Sequence, residues 1–123
     1  MSYKIVISSE TIADLNNAAD YIDYSLKNRD AANRLIDSFE ETILSLADYP
    51  ERHPVLDDPY FAAYGIRCIE IGNYLAFYNV DNASQEVSII RFLYKRRDWI
   101  AILSKYSSLN TDSNRVHEKL TNY

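Results

Sequence analysis

The chain opens on an alternating run, Tyr3 to Ser8, rich in Ile and Val, which predicts a strand. The period then changes. Ile12, Leu15, Ala18, Ala19, Ile22 and Leu26 recur at spacings of three and four, the apolar stripe of a first helix. Ser8, Ser9 and Thr11 offer hydroxyl caps, and Glu10 lies where a helix dipole favours negative charge. Lys27, Asn28 and Arg29 end this helix. Asp30 is placed to cap a second one, whose stripe is Ala31, Ala32, Leu35, Ile36, Phe39, Ile43 and Leu46. Tyr49-Pro50 closes it, because proline disfavours helical backbone at the residue before it. Only a few residues separate the stripes, so the two helices are expected to form an antiparallel hairpin.

Pro50 to Tyr60 carries all three prolines and reads as a loop. Three β-rich runs follow: Tyr64 to Ile71, Asn73 to Val80, and Gln85 to Tyr94. Gly72-Asn73 and the cluster Asp81 to Ser84 are the turns between them. Asp98 can cap a short helix from Trp99 to Lys105, and beyond Tyr106 the chain is polar and weakly patterned. Burying each stripe yields an α+β fold: an N-terminal strand, an antiparallel helical hairpin on one face of a mostly antiparallel sheet of about four strands, and a short C-terminal helix. The first strand is placed beside the last long one. Residues 1–105 form the domain, and 106–123 a polar tail or marginal helix.

A chain of 123 residues fits one domain. Its single cysteine, Cys68, excludes an internal disulfide and reads as a small buried hydrophobe. The apolar start is too short for a signal peptide, and no run reaches the ~18 residues of a membrane helix, so no membrane partner and a cytoplasmic location are expected. There is no phosphate-binding glycine loop, HExxH, GxSxG or Cys/His metal spacing, so neither a metal nor another cofactor is expected. The net charge of −5 is uneven: residues 1–63 hold twelve acids against five bases, residues 64–106 four acids against six bases. A local basic site on an acidic body follows.

The basic run Arg91, Lys95, Arg96 and Arg97, flanked by Tyr94 and Trp99, is the first candidate. Arginine forks bind phosphate or carboxylate, and aromatic rings can stack on a base; the plainer alternative is a solvated strand end. Arg67 lies within a strand, and strand parity groups it with Gly65 and Ile69, and Arg91 with Ile89 and Leu93. Both arginines are then expected on the face left open by the hairpin, unless Arg67 makes a structural ion pair with Glu70 or Glu86. RNA cleavage would need a base, cations for the phosphorane and an acid. Glu51 or His53, Arg67 with Arg91, and Tyr94 can fill those roles on paper. An isolated loop histidine such as His53 is more often plain surface, and His117 has no evident partner in sequence.

Several pieces in order carry a resemblance over Tyr3 to about Lys105: Tyr3 to Ile7, Ala13-Asp14-Leu15, Tyr21-Ile22, Ala31 to Leu35, Gly65-Ile66-Arg67, Gly72 to Tyr78, and Ile90 to Trp99. Together they resemble the RelE/ParE superfamily, the toxins of type II toxin–antitoxin systems. The resemblance implies a growth-inhibiting protein silenced by a cognate antitoxin, in a setting of plasmid stabilization or stress response. One branch of the superfamily cleaves mRNA on the ribosome; the other blocks DNA gyrase and has no nuclease site. Ribosome-dependent members usually carry an arginine where this chain has Leu75. Gyrase-directed members have an apolar run there and a basic end to the last strand, similar to Arg91 to Arg97 with Tyr94 where histidine is common. The expectation therefore leans to a gyrase-directed, non-enzymatic toxin with Arg91, Tyr94, Lys95, Arg96, Arg97 and Trp99 as contact residues. The alternatives are a ribosome-dependent endoribonuclease, with Arg67, Arg91 and Tyr94 catalytic, and a binding module without toxicity.

Overall fold

The computed structural model describes residues 2–110. Its elements are β1 (Lys4–Ile7), α1 (Ser9–Asp20), a π-helical turn (Tyr21–Ser25), α2 (Arg29–Ser45), α3 (Pro59–Ala62), β2 (Arg67–Ile71), β3 (Tyr74–Asp81), β4 (Glu86–Tyr94) and α4 (Trp99–Asn110). The four strands form one sheet in the order β1-β4-β3-β2. β1 runs parallel to β4, and the other two pairings are antiparallel. This is the α+β architecture expected from the periodicities, with β1 beside the last strand. α4 continues to Asn110, past the expected end at Lys105. Residues 111–123, the rest of the expected tail, lie outside the described residues, as does His117.

The helix ends follow local chemistry. Ser8 caps α1, its hydroxyl accepting the Thr11 N–H at 3.0 Å. The cap of α2 is Asn28 rather than Asp30: its side chain accepts the Ala31 N–H at 3.0 Å, and Asp30 falls in the first turn. Lys27 takes a positive φ of 52° to turn the chain between the helices. Asp98 does cap α4, accepting the Ala101 N–H. In the β2–β3 turn Gly72 adopts φ 61°, a conformation that favours glycine.

Two apolar clusters fill the fold, one on each face of the sheet. Under the α1–α2 hairpin lie Phe39, Ile43, Leu46, Ile69, Ile71, Ala76, Tyr78, Val87, Ile89 and Phe92. On the opposite face Phe61 of α3 and Leu103 of α4 pack with Ile66, Phe77, Ile90 and Leu93. The far face is therefore not open, as the sequence had suggested. The loop expected over 50–60 runs as far as Asp58, where the short helix α3 takes over, and the C-terminal helix closes over the sheet.

The face assignment of β4 also changes. Phe77 pairs with Arg91 but Tyr78 pairs with Ile89, so Ile90 is an extra residue in the strand. Such a bulge breaks the two-residue side-chain period. Ile89 and Phe92 face the hairpin while Ile90 and Leu93 face α4. The expected grouping of Arg91 with both Ile89 and Leu93 fails for that reason. Arg67 keeps its parity with Ile69, but Ile69 belongs to the hairpin side.

The first helix departs from its stripe in a similar way. Leu26 N–H bonds to the Tyr21 carbonyl at 3.1 Å, five residues back. One such wide turn rotates everything after it relative to a continuous α-helix. Leu26, expected in the buried stripe, is 57% exposed, and Tyr21 and Tyr24 are exposed with it.

Candidate functional site

The parallel strand β1 ends at Ile7, which pairs with Ile89, so the edge of β4 beyond that point has lost its ladder partner. Buried peptide groups need partners, and the start of α1 supplies them. The Ser8 hydroxyl donates to the Ile90 carbonyl at 2.9 Å, and Thr11 Oγ1 donates to the Ile89 carbonyl at 3.2 Å. Asp14 accepts the Phe92 N–H at 3.0 Å. The same carboxylate takes the Arg91 guanidinium as a fork, Nε at 2.7 Å and Nη2 at 2.8 Å. The Asp14 hydrogen bond holds the Arg91 guanidinium even more firmly protonated than usual, against the opposing effect of burial. Arg91 is thus a clamp between α1 and β4. Its fork is already filled.

Arg67 is also engaged. Its side chain is 17% exposed. Nη1 donates to the His53 carbonyl at 2.6 Å and Nη2 reaches Glu51 Oε2 at 3.5 Å. Its acidic partner is Glu51, not Glu70 or Glu86. The structure brings Glu51, His53 and Arg67 together, with Tyr78 beside them donating to the Pro50 carbonyl at 3.1 Å. Burial pushes the Tyr78 phenol up to about 12. Burial, then the Arg52 charge, lower the His53 imidazole below its ordinary value.

The candidate catalytic set does not converge. Arg67 pairs with Tyr78, whereas Tyr94 pairs with Tyr74. Four residues of strand separate the two levels, about 13 Å at ~3.3 Å per residue. Tyr94 lies at the opposite end of the sheet from Glu51, His53 and Arg67.

The basic rim divides into different roles. The Lys95 ammonium pairs with the Glu70 carboxylate. Arg96 and Arg97 are exposed, and no carboxylate among the described residues forms an ion pair with either. Trp99 turns inward, its ring 5.5 Å from Phe77 and 6.3 Å from Phe61, and so serves the second core. Tyr94 is 40% exposed. It ends a ladder of rings that runs out of the first core: Phe39 edge-on to Phe92 at 5.0 Å, Phe92 stacked on Tyr74 at 5.0 Å, and Tyr74 edge-on to Tyr94 at 5.5 Å. Burial, and then the neighbouring Tyr94 and Tyr21 phenols, raise the Tyr74 phenol above its ordinary value.

This ladder forms one wall of a groove of about 650 Å³ between the end of α1 and the β3–β4 end of the sheet. Tyr21, Leu26, Asn73, Tyr74, Tyr94 and Arg97 line it, together with Asp14. Of these, only Tyr94 and Arg97 are contact residues expected from sequence. Asp14 was legible in principle, as an acid one position from the stripe residue Leu15. Tyr21 follows Asp14 and Asn17 along one face of α1, whereas Leu26 reaches the groove through the π-helical turn, which leaves no simple periodic signal.

The model of the ParE toxin of type II toxin–antitoxin systems matches residues 5–99. The chain belongs to the ParE toxin family. This family member has the fold of several solved toxins. The chromosomal ParDE system of P. aeruginosa is similar at 16% identity and a TM-score of 0.62, covering 76% of this chain and 96% of that one. The RelBE2 toxin–antitoxin complex of Mycobacterium tuberculosis matches at 17% identity and 0.54, covering 76% and 99%. A doubly substituted E. coli RelE toxin in the free state matches at 10% identity and 0.58, covering 87% and 98%. No curated protein sequence matches the chain. No helix among the described residues of this ParE-family toxin is long and apolar enough to cross a membrane.

Proposed function

We propose that this ParE-family toxin arrests growth by binding DNA gyrase through the rim at the end of β4, without cleaving RNA, and that a cognate antitoxin silences it in the cytoplasm. The dispersal of the candidate catalytic residues carries this reading. A phosphodiester-cleaving site needs cations and proton-transfer groups within hydrogen-bond reach of one phosphate. Here Arg91 is spent on Asp14, and Arg67 sits with Glu51 and His53 at the far end from Tyr94. Leu75, where ribosome-dependent relatives usually have an arginine, packs against the α4-side core. What remains available is a binding surface: the exposed Tyr94, Arg96 and Arg97, with Lys95 half-engaged by Glu70.

The alternative, a ribosome-dependent endoribonuclease, draws support from Tyr94, an exposed phenol beside two arginines that pair with no carboxylate among the described residues. Two assays separate the readings. Purified toxin is added to a gyrase supercoiling reaction, and transcripts are mapped by primer extension after induction. Inhibited supercoiling with intact transcripts is the expected result, and the double variant Arg96→Glu/Arg97→Glu loses the inhibition while unfolding at an unchanged urea midpoint. Uninhibited gyrase at large molar excess refutes the gyrase reading. New transcript ends that vanish in Tyr94→Phe would establish the nuclease instead. Normal growth on induction, with neither effect, would leave a non-toxic binding module.

A further inference from the structure

The cations of the rim are not equally free. Lys95, Arg96 and Arg97 sit in a tight turn, closed by the Arg97 N–H on the Tyr94 carbonyl at 2.9 Å. The β2–β3 hairpin holds Lys95 twice: its N–H donates to the Asn73 carbonyl at 2.9 Å, and its ammonium pairs with the Glu70 carboxylate. Arg96 and Arg97 pair with no carboxylate among the described residues. Asp98, next along the chain, gives its carboxylate to the Ala101 N–H at the start of α4. The acid that the fold sets against the rim is therefore Glu70, and it comes from the edge strand β2, separated from β4 by β3. Ile69 and Ile71 are buried under the α1–α2 hairpin, so Glu70 between them points to the other face. The Glu70 side chain is 58% exposed and that of Lys95 40%. A pair this open contributes little to stability, because water screens it and two side chains must be ordered to make it. Charges at the edge of a binding surface act instead on association and on its salt dependence.

We propose that Glu70 limits the affinity of the rim: it neutralises Lys95, holds it on the β2–β3 hairpin, and leaves Arg96 and Arg97 to meet an acidic surface of gyrase. A target carboxylate can reach the Lys95 ammonium only by displacing the Glu70 carboxylate. That exchange replaces one exposed ion pair with another, so its net gain is small. The toxin therefore binds less tightly than its three rim cations would allow. The inference rests on the binding role proposed for the rim.

Three variants of the full chain test it: Glu70→Gln, the double variant Glu70→Gln/Lys95→Ala, and Glu40→Gln, which removes an exposed acid of α2 and changes the net charge by the same amount. Each is read twice, as the concentration that halves gyrase supercoiling and as growth arrest per amount of toxin on graded induction. Glu70→Gln is expected to act at about threefold lower concentration, the gain of one freed surface charge. That gain should fade as salt is raised, because counterions screen exposed charges. Removing Lys95 as well should take the gain away. Glu40→Gln should match the unaltered chain, and the urea midpoint of Glu70→Gln should stay where it is. Glu70→Gln no stronger than Glu40→Gln, a gain indifferent to salt, or a gain that survives in the double variant would each overturn the proposal. The two readouts keep the inference apart from the target reading. If growth follows this ranking while no variant touches supercoiling, Glu70 keeps its role and the gyrase reading falls. If all variants inhibit supercoiling equally, the gyrase reading stands and the role of Glu70 falls. Normal growth with every variant and untouched supercoiling would overturn both.

Discussion

Replacing Asp14 with alanine should destabilise this toxin more than any other single loss of surface charge. The Asp14 side chain is 10% exposed and Arg91 24%. Removing the carboxylate leaves a mostly buried guanidinium without its two short hydrogen bonds and the Phe92 N–H without its acceptor. Breaking a fully buried pair costs ~3–5 kcal/mol, and stranding one peptide N–H costs ~1–3 kcal/mol. Water can reach part of the exposed guanidinium, which lowers the total to about 3 kcal/mol. For a domain of this size that is a fall in Tm of roughly 10–15 °C. Asp14→Asn keeps an acceptor for the N–H but not the charge, and should cost about half as much. The double variant Asp14→Leu/Arg91→Met removes the orphaned cation and should recover more than ~1 kcal/mol relative to Asp14→Ala. Urea unfolding of the four proteins measures all of this, with the exposed Asp20→Ala as control. If Asp14→Ala unfolds within about 0.5 kcal/mol of that control, the range of ordinary surface substitutions, the clamp contributes nothing and the reasoning fails.

Leu103→Ala opens a cavity at a fully buried position of α4 and should cost about 3 kcal/mol in the same assay; an effect below ~1 kcal/mol would mean that α4 does not cover the sheet. Ser8→Ala removes both the α1 cap and the donor to the Ile90 carbonyl, a loss of about 2 kcal/mol, and Ser9→Ala, outside that network of edge bonds, should cost far less. Burial, then Glu70, push the Cys68 thiol up to about 11 from an ordinary value of 9.0. A thiol that is harder to ionise when folded stabilises the fold fully below pH 9, and that contribution is lost as pH rises from about 9 to 11. Stability should therefore fall over that window less steeply in Cys68→Ala than in the unaltered chain, and iodoacetamide should modify Cys68 slowly at pH 8; fast modification would show an accessible thiolate.

The elements and their order were legible because they depend on local periodicity and local caps. The stripes of α1 and α2, the turn at Gly72, the Ser8 cap and the placement of Asp98 before α4 each follow from neighbours within a turn or two. The family resemblance drew on the same ordered segments, and residues 5–99 match the ParE toxin model.

What tertiary structure alone decided was the direction and partner of each charged side chain. Arg91 meets Asp14, 77 positions earlier in the chain, and Arg67 meets the Glu51–His53 loop rather than its own strand neighbours. Two one-residue irregularities, the bulge at Ile90 and the wide turn after Asp20, changed which residues face inward. Periodicity extrapolates a register from one end of an element to the other, so a single extra residue inverts everything downstream of it. Local pattern determined what the chain builds; long-range packing determined which carboxylate each of Arg67 and Arg91 holds.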